Sequence, residues 1–91
     1  MINKQNNLNH LTKTQKRSVL LSGHRTSISL ELAFWLKLKE ICEQQGKSIN
    51  QQITEIDNMR LTEPNKNLSS AIRVYILEQT SQNQNKSAPN Y

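Results

Sequence analysis

Arg25, Ser27 and Ser29 occupy alternate positions of Arg25-Thr26-Ser27-Ile28-Ser29-Leu30, and Ile28 and Leu30 fall between them, with Thr26 as a half-polar member of their row. Successive side chains of a strand face opposite ways, so this order gives one face a guanidinium and two hydroxyls and the other an apolar row. An arginine held this way can place two hydrogen bonds on guanine O6 and N7, whereas serine hydroxyls donate or accept and discriminate poorly. Register enforces the choice, because a slip of one residue would expose Ile28 and Leu30 and bury Arg25. The plain alternative for Arg25 is a phosphate or solvent contact, since most protein–DNA hydrogen bonds go to the backbone.

Other residues offer weaker chemistry. Lys16 and Arg17 precede the strand and can add sequence-blind affinity that fades with salt. Ser48 stands at an expected helix start, where free N–H groups and the dipole form an anion site; an ordinary N-cap is an equal use of its hydroxyl. Gly46-Lys47-Ser48 has the end of a phosphate-binding loop, but Ile41 stands where the first glycine should be. Cys42 with His10 or His24 would be a nucleophile pair only if the thiol were free, and its place on an apolar helix stripe makes it a buried, inert thiol. His24 has no partner group in sequence and reads as a surface residue. Asn67-Leu68-Ser69 matches a glycosylation site formally, with nothing to indicate secretion. The expectation is a protein that is not an enzyme, with no catalytic residue, no metal and no cofactor.

Charge says more by position than by total. Residues 1–30 hold five basic side chains (Lys4, Lys13, Lys16, Arg17, Arg25) and no acidic one, while residues 31–91 hold seven of each sign, so the net charge of +5 lies in the first third. A polyanion follows as partner, either nucleic acid or an anionic membrane surface; a solvated tail is the bland reading. Ninety-one residues with 34% hydrophobic content and four aromatics (Phe34, Trp35, Tyr75, Tyr91) give a thin core, which oligomerisation would remedy. The longest apolar run, Leu32 to Leu36, cannot span a bilayer, and no stretch resembles a secretion signal. A reducing cytoplasm fits the single cysteine.

The elements that must position these residues follow in order. Residues 1–15, polar and Asn/Gln-rich, are expected to be a disordered basic arm. Lys16 to Gly23 could add a second extended piece: Val19 to Leu21 either packs on the domain or extends the ribbon, and Gly23 allows a bend. The strand Arg25–Leu30 is expected to have no partner in its own chain, so its unpaired main-chain groups should meet a second copy. A two-stranded ribbon fits a major groove about 12 Å wide. Ser29 is the expected N-cap of a helix from Glu31 to Gln45, with Phe34, Trp35, Leu38, Ile41 and Cys42 inward and Gly46 ending it. Ser48 caps a second helix to about Leu61, with Ile49, Ile53 and Ile56 inward. Thr62 to Lys66 is a loop around Pro64. Asn67 or Ser69 caps a third segment, Leu68 to Thr80, whose Leu68, Ala71, Ile72, Tyr75 and Ile76 form a helical stripe. Its β-branched content leaves a strand open. Residues 81–91 read as a disordered polar tail.

Strand, helix, Gly-x-Ser turn and helix in this order resemble the ribbon-helix-helix DNA-binding proteins, and more narrowly a bacterial subfamily of small domains. The resemblance rests on Lys16–Val19, Gly23–Glu31, Phe34-Trp35, Gly46-Lys47-Ser48, Ile56-Asp57 and Asn67–Arg73, and it covers residues 16 to about 79. It implies a mainly α fold with one short β-strand, an extra C-terminal helix, and an intertwined homodimer joined by an intermolecular antiparallel β-ribbon. In that dimer Ile28, Leu30, Phe34, Trp35, Leu38, Ile41, Ile49, Ile53 and Ile56 form the core. Carried over by position, Arg25, Ser27 and Ser29 would touch bases of double-stranded DNA. Ser48, Ile49 and Asn50 would sit on a phosphate, with Lys47 nearby and Lys16 and Arg17 adding to the backbone contact. The leading expectation is a cytoplasmic, sequence-specific DNA-binding protein and transcriptional regulator, with assembly beyond a dimer left open by the added segment. The alternative is a protein-interaction or antitoxin-like dimer that uses residues 68–80. A membrane-surface binder using the basic arm is the third and weakest reading.

Overall fold

The computed structural model describes residues 4–60 and 67–87 of the chain. Six elements follow in order: α1 (Lys4–Leu11), β1 (Thr14–Leu21), β2 (His24–Glu31), α2 (Leu32–Gln45), α3 (Ile49–Met59) and α4 (Leu68–Ser87). The expected helix end at Leu61, the loop expected at Thr62 to Lys66 and the last four residues of the expected tail lie outside the described residues.

The expectation about the strand is corrected here. β2 does have a partner in its own chain: β1 pairs with it antiparallel over eight residues, from Thr14↔Glu31 to Leu21↔His24. Ser22 and Gly23 make the turn, with φ 51° and 81°. Positive φ at both central residues is the signature of the tight turn whose twist suits a hairpin, and glycine supplies it without strain. The ribbon is therefore intramolecular, and β2 does not need a second copy to satisfy its ladder.

The hairpin's inner row carries Val19, Leu21, Ile28 and Leu30, all buried against the helices. α2 contributes Trp35, Leu38, Ile41 and Cys42, α3 contributes Ile53 and Ile56, and α4 contributes Leu68, Ile72 and Ile76. Phe34 and Ile49 are partly buried against this cluster. The residues expected to form a dimer core thus pack together within one chain. α4 lies over this cluster with Leu68, Ile72 and Ile76, and Ala71 and Tyr75 pack beside them.

Caps explain where the helices begin and end. β pairing runs through Glu31, so α2 starts at Leu32 with Glu31 as N-cap, and Ser29, expected in that role, lies inside the strand. Gly46 ends α2 in the left-handed region at φ 68°, with the Lys47 N–H donating to the Cys42 carbonyl. The Ser48 hydroxyl accepts from the Gln51 N–H at 3.0 Å and opens α3. Asn67 caps α4 by accepting from the Ser70 N–H at 2.8 Å. The segment from Leu68 is a helix and continues to Ser87, which corrects the expectation of a structureless tail over residues 81–87. Likewise Lys4–Leu11 is helical, and the expected arm also includes the first residues of β1. Polar composition predicts little packing power, but it does not forbid a helix that is stopped by local bonds, here the Thr12 hydroxyl donating to the Asn9 carbonyl.

Candidate nucleic-acid interface

The hairpin's other face is turned away from the core. Cross-strand pairing puts Lys16 opposite Ser29, Ser18 opposite Ser27, and Leu20 opposite Arg25. Lys16, Ser18, Leu20, Arg25 and Ser27 are exposed, and Ser29 is half-buried. Three serines, Thr14 opposite Glu31, a lysine, an arginine and one leucine therefore make a single two-stranded surface. Its acidic member is Glu31 at the far end, which is held by Arg73 at 3.0 Å. Arg25, Ser27 and Ser29 are brought together on this face. Ser18 and Leu20, passed over in the sequence, belong to it as well. Their signal was the aliphatic run Val19-Leu20-Leu21 followed by a Ser-Gly pair and the alternating Arg25–Leu30, which reads as a hairpin.

Arg17 stands elsewhere. It shares the inner row with Val19 and Leu21, its guanidinium lies 4.9 Å from the centre of the Trp35 ring, and it donates to the Gln15 side chain at 3.2 Å. It lies over the edge of the core instead of joining Lys16 on the outer face, so the two expected phosphate contacts stand on different sides of the ribbon. The Trp35 indole N–H donates to the Gln15 carbonyl at 2.9 Å, fixing the same strand from inside.

The start of α3 adjoins the ribbon through Asn50. Its amide donates to the Leu20 carbonyl at 2.8 Å and accepts from the Leu20 N–H at 3.1 Å. At Leu20 the side chain thus satisfies the outward edge of β1 as a neighbouring strand would. Lys47 is turned to Glu55 at 3.0 Å, and the Ser48 hydroxyl is spent on Gln51. So the side chains of Lys47, Ser48 and Asn50 are engaged inside the chain. What remains for an anion at this helix start is its main chain, the N–H groups of Ile49 and Asn50. α4 closes the opposite edge, where the Ser69 hydroxyl donates to the Ser29 carbonyl at 3.0 Å.

The enzyme-like combinations do not assemble. Cys42 is buried, and burial pushes its thiol above the ordinary range. His10 and His24 are exposed. Among the described residues no group of three His, Cys, Asp or Glu side chains is placed to hold a metal ion, and no described helix is long and apolar enough to cross a membrane.

Comparison with known proteins agrees with this architecture. A ribbon-helix-helix domain family model matches residues 14–80. The structure is similar to that of an uncharacterized protein from Bordetella pertussis Tohama I, with a TM-score of 0.75 at 26% identity over 97% of this chain and 76% of that one. No curated protein matches the chain.

Proposed function

This chain belongs to the ribbon-helix-helix domain family, whose members are typically DNA-binding regulators, and from that premise we propose that it is a sequence-specific binder of double-stranded DNA and a transcriptional regulator. The observation that carries the reading is the outer face of the β1–β2 hairpin: a ribbon as wide as the major groove admits, bearing Arg25, Lys16 and three serines and turned away from the core of its own chain. Arg25 reads guanine, the serines make permissive contacts, and Lys16 holds a phosphate. The α3 N-terminus, tied to the ribbon by Asn50, takes a second phosphate with its main chain.

The working unit is a homodimer in the bacterial cytoplasm, as members of this family usually bind DNA in pairs. Dimer formation here would join folded protomers, through outward main-chain edges such as Ser18 on β1 or Ser27 on β2, because each ribbon is already complete. Selection from a random duplex library, followed by mobility-shift titration at several salt concentrations, tests the reading. Arg25→Ala is expected to cost about 1–3 kcal/mol on the selected site and to relax preference at one base pair. No duplex binding at low salt, or affinity untouched by Arg25→Ala, would overturn it. Light scattering on the bound complex reports whether two chains sit on one site.

One observation favours a second reading as a protein-interaction or antitoxin-like module. Val74 and Leu77 on the outer side of α4 are 56% and 65% exposed. In that case a Leu77→Ser variant loses its protein partner while Arg25→Ala keeps it.

A further inference from the structure

We propose that Leu20 is a specificity-determining residue that recognises thymine through its 5-methyl group, and that Asn50 positions it; this rests on the DNA-binding reading above. Leu20 is 49% exposed on a face otherwise made of hydroxyls and cations. The inner row of the same hairpin is filled by Val19, Leu21, Ile28 and Leu30, so Leu20 is not needed for the core. An aliphatic side chain exposed beside Arg25 at the turn end of this face loses energy to water unless an apolar group covers it.

Duplex DNA is the occupant that charge complementarity selects, since Arg25 lies directly opposite Leu20, Lys16 lies further along the same strand, and no acidic residue occurs before position 31. In the major groove one base edge offers an apolar group, the thymine methyl, while every other edge group wants a hydrogen bond that leucine cannot make. Leu20 would therefore favour thymine both by contact and by leaving the donors and acceptors of other bases unpaired.

Placement matters as much as chemistry. The Leu20 main chain is held at both its N–H and its carbonyl by one amide, Asn50, at 3.1 and 2.8 Å. Directly opposed residues of an antiparallel pair keep their Cβ atoms about 5 Å apart, so Leu20 and Arg25 move as one reading unit. The inferred element is a guanine bound by Arg25 with a thymine beside it.

Deoxyuridine in place of thymine, one position at a time in the selected duplex, tests this. Wild type is expected to lose about fourfold in affinity at one thymine next to the Arg25-dependent guanine, the worth of one methyl group removed from water. Leu20→Ala, a change at a half-exposed site, should bind the thymine and uracil duplexes equally. Asn50→Ala should shrink the ratio of thymine to uracil affinity, whatever it does to overall affinity, and a merely structural role would not move that ratio. A site selected without thymine at that step, or equal uracil sensitivity in wild type and Leu20→Ala, overturns the inference while the DNA-binding reading stands. Absence of duplex binding, or indifference to Arg25→Ala, overturns both.

Discussion

Glu31 does three things at the junction of strand and helix. It closes the β ladder against Thr14, takes the N-cap position of α2 without a side-chain capping bond, and holds Arg73, whose guanidinium also lies 5.7 Å from the centre of the Phe34 ring. Its own main-chain N–H first, and the Arg73 hydrogen bond second, keep its carboxyl below the ordinary value of 4.5. A lowered folded-state value means the charged form is favoured by folding, so its stabilising contribution is present above the ordinary carboxylate range and fades as pH falls through the folded value. The melting temperature gap between wild type and Glu31→Gln should therefore be open at neutral pH and closed by about pH 2. A gap of the same size at both would separate Glu31 from acid sensitivity. Cys42 gives a simpler reading at this scale: thiol reagents should modify it only as fast as the protein opens, since burial keeps it protonated. In the sequence, the Cys42 stripe, the Gly46 stop and the Ser48 cap were legible because each depends on local rules. The α2 start was not, because Ser29 is a good cap by type and only its pairing with Lys16 across the hairpin withdraws it.

The hairpin is the element on which the reading of function turns, and its turn is suboptimal. Ser22 sits at φ 51°, a region that side chains other than asparagine, aspartate and glycine enter at a cost. Ser22→Asn should raise stability by about 0.5 kcal/mol, and Gly23→Ala, at φ 81°, should lower it by about 1–2 kcal/mol, both measured by chemical denaturation. If Gly23→Ala were neutral, the turn would not have this geometry. The strand pair was half visible from the residues. An alternating run follows the Ser-Gly pair, but the run before it, Lys-Arg-Ser-Val-Leu-Leu, is polar and then apolar and shows no alternation. An arginine in the inner row, tolerated because Trp35 receives it, hides the register further. The consequence for function is direct. Under the proposed reading, a hairpin made within one chain would double the surface each protomer offers to DNA, adding Lys16, Ser18 and Leu20 to the three residues of β2.

At the scale of the whole molecule, the apolar residues close into one core: Leu30, Leu38, Ile53 and Ile72 are fully enclosed without a second copy. The thin composition points to oligomerisation as the source of stability, because nothing in a hydropathy count tells whether α4 folds back on its own chain or on another. What the sequence did show at this scale was the asymmetry of charge, and the fold sorts those charges onto two faces. Lys16 and Arg17 are neighbours in sequence and opposites in space, so they should behave oppositely. Each phosphate-bound cation contributes about 0.9 to the slope of log affinity against log salt, so Lys16→Ala should flatten that slope by about 0.9 per chain, to a similar degree on every duplex sequence. Arg17→Ala should leave the slope where it is and instead lower stability by about 0.5–1 kcal/mol, the worth of an exposed cation over an aromatic ring. Salt-titrated mobility shifts and denaturant melts on the two variants make the comparison. Were both variants to flatten the slope equally, Arg17 would be on the DNA side of the ribbon, and the face assigned to the groove would have to be redrawn.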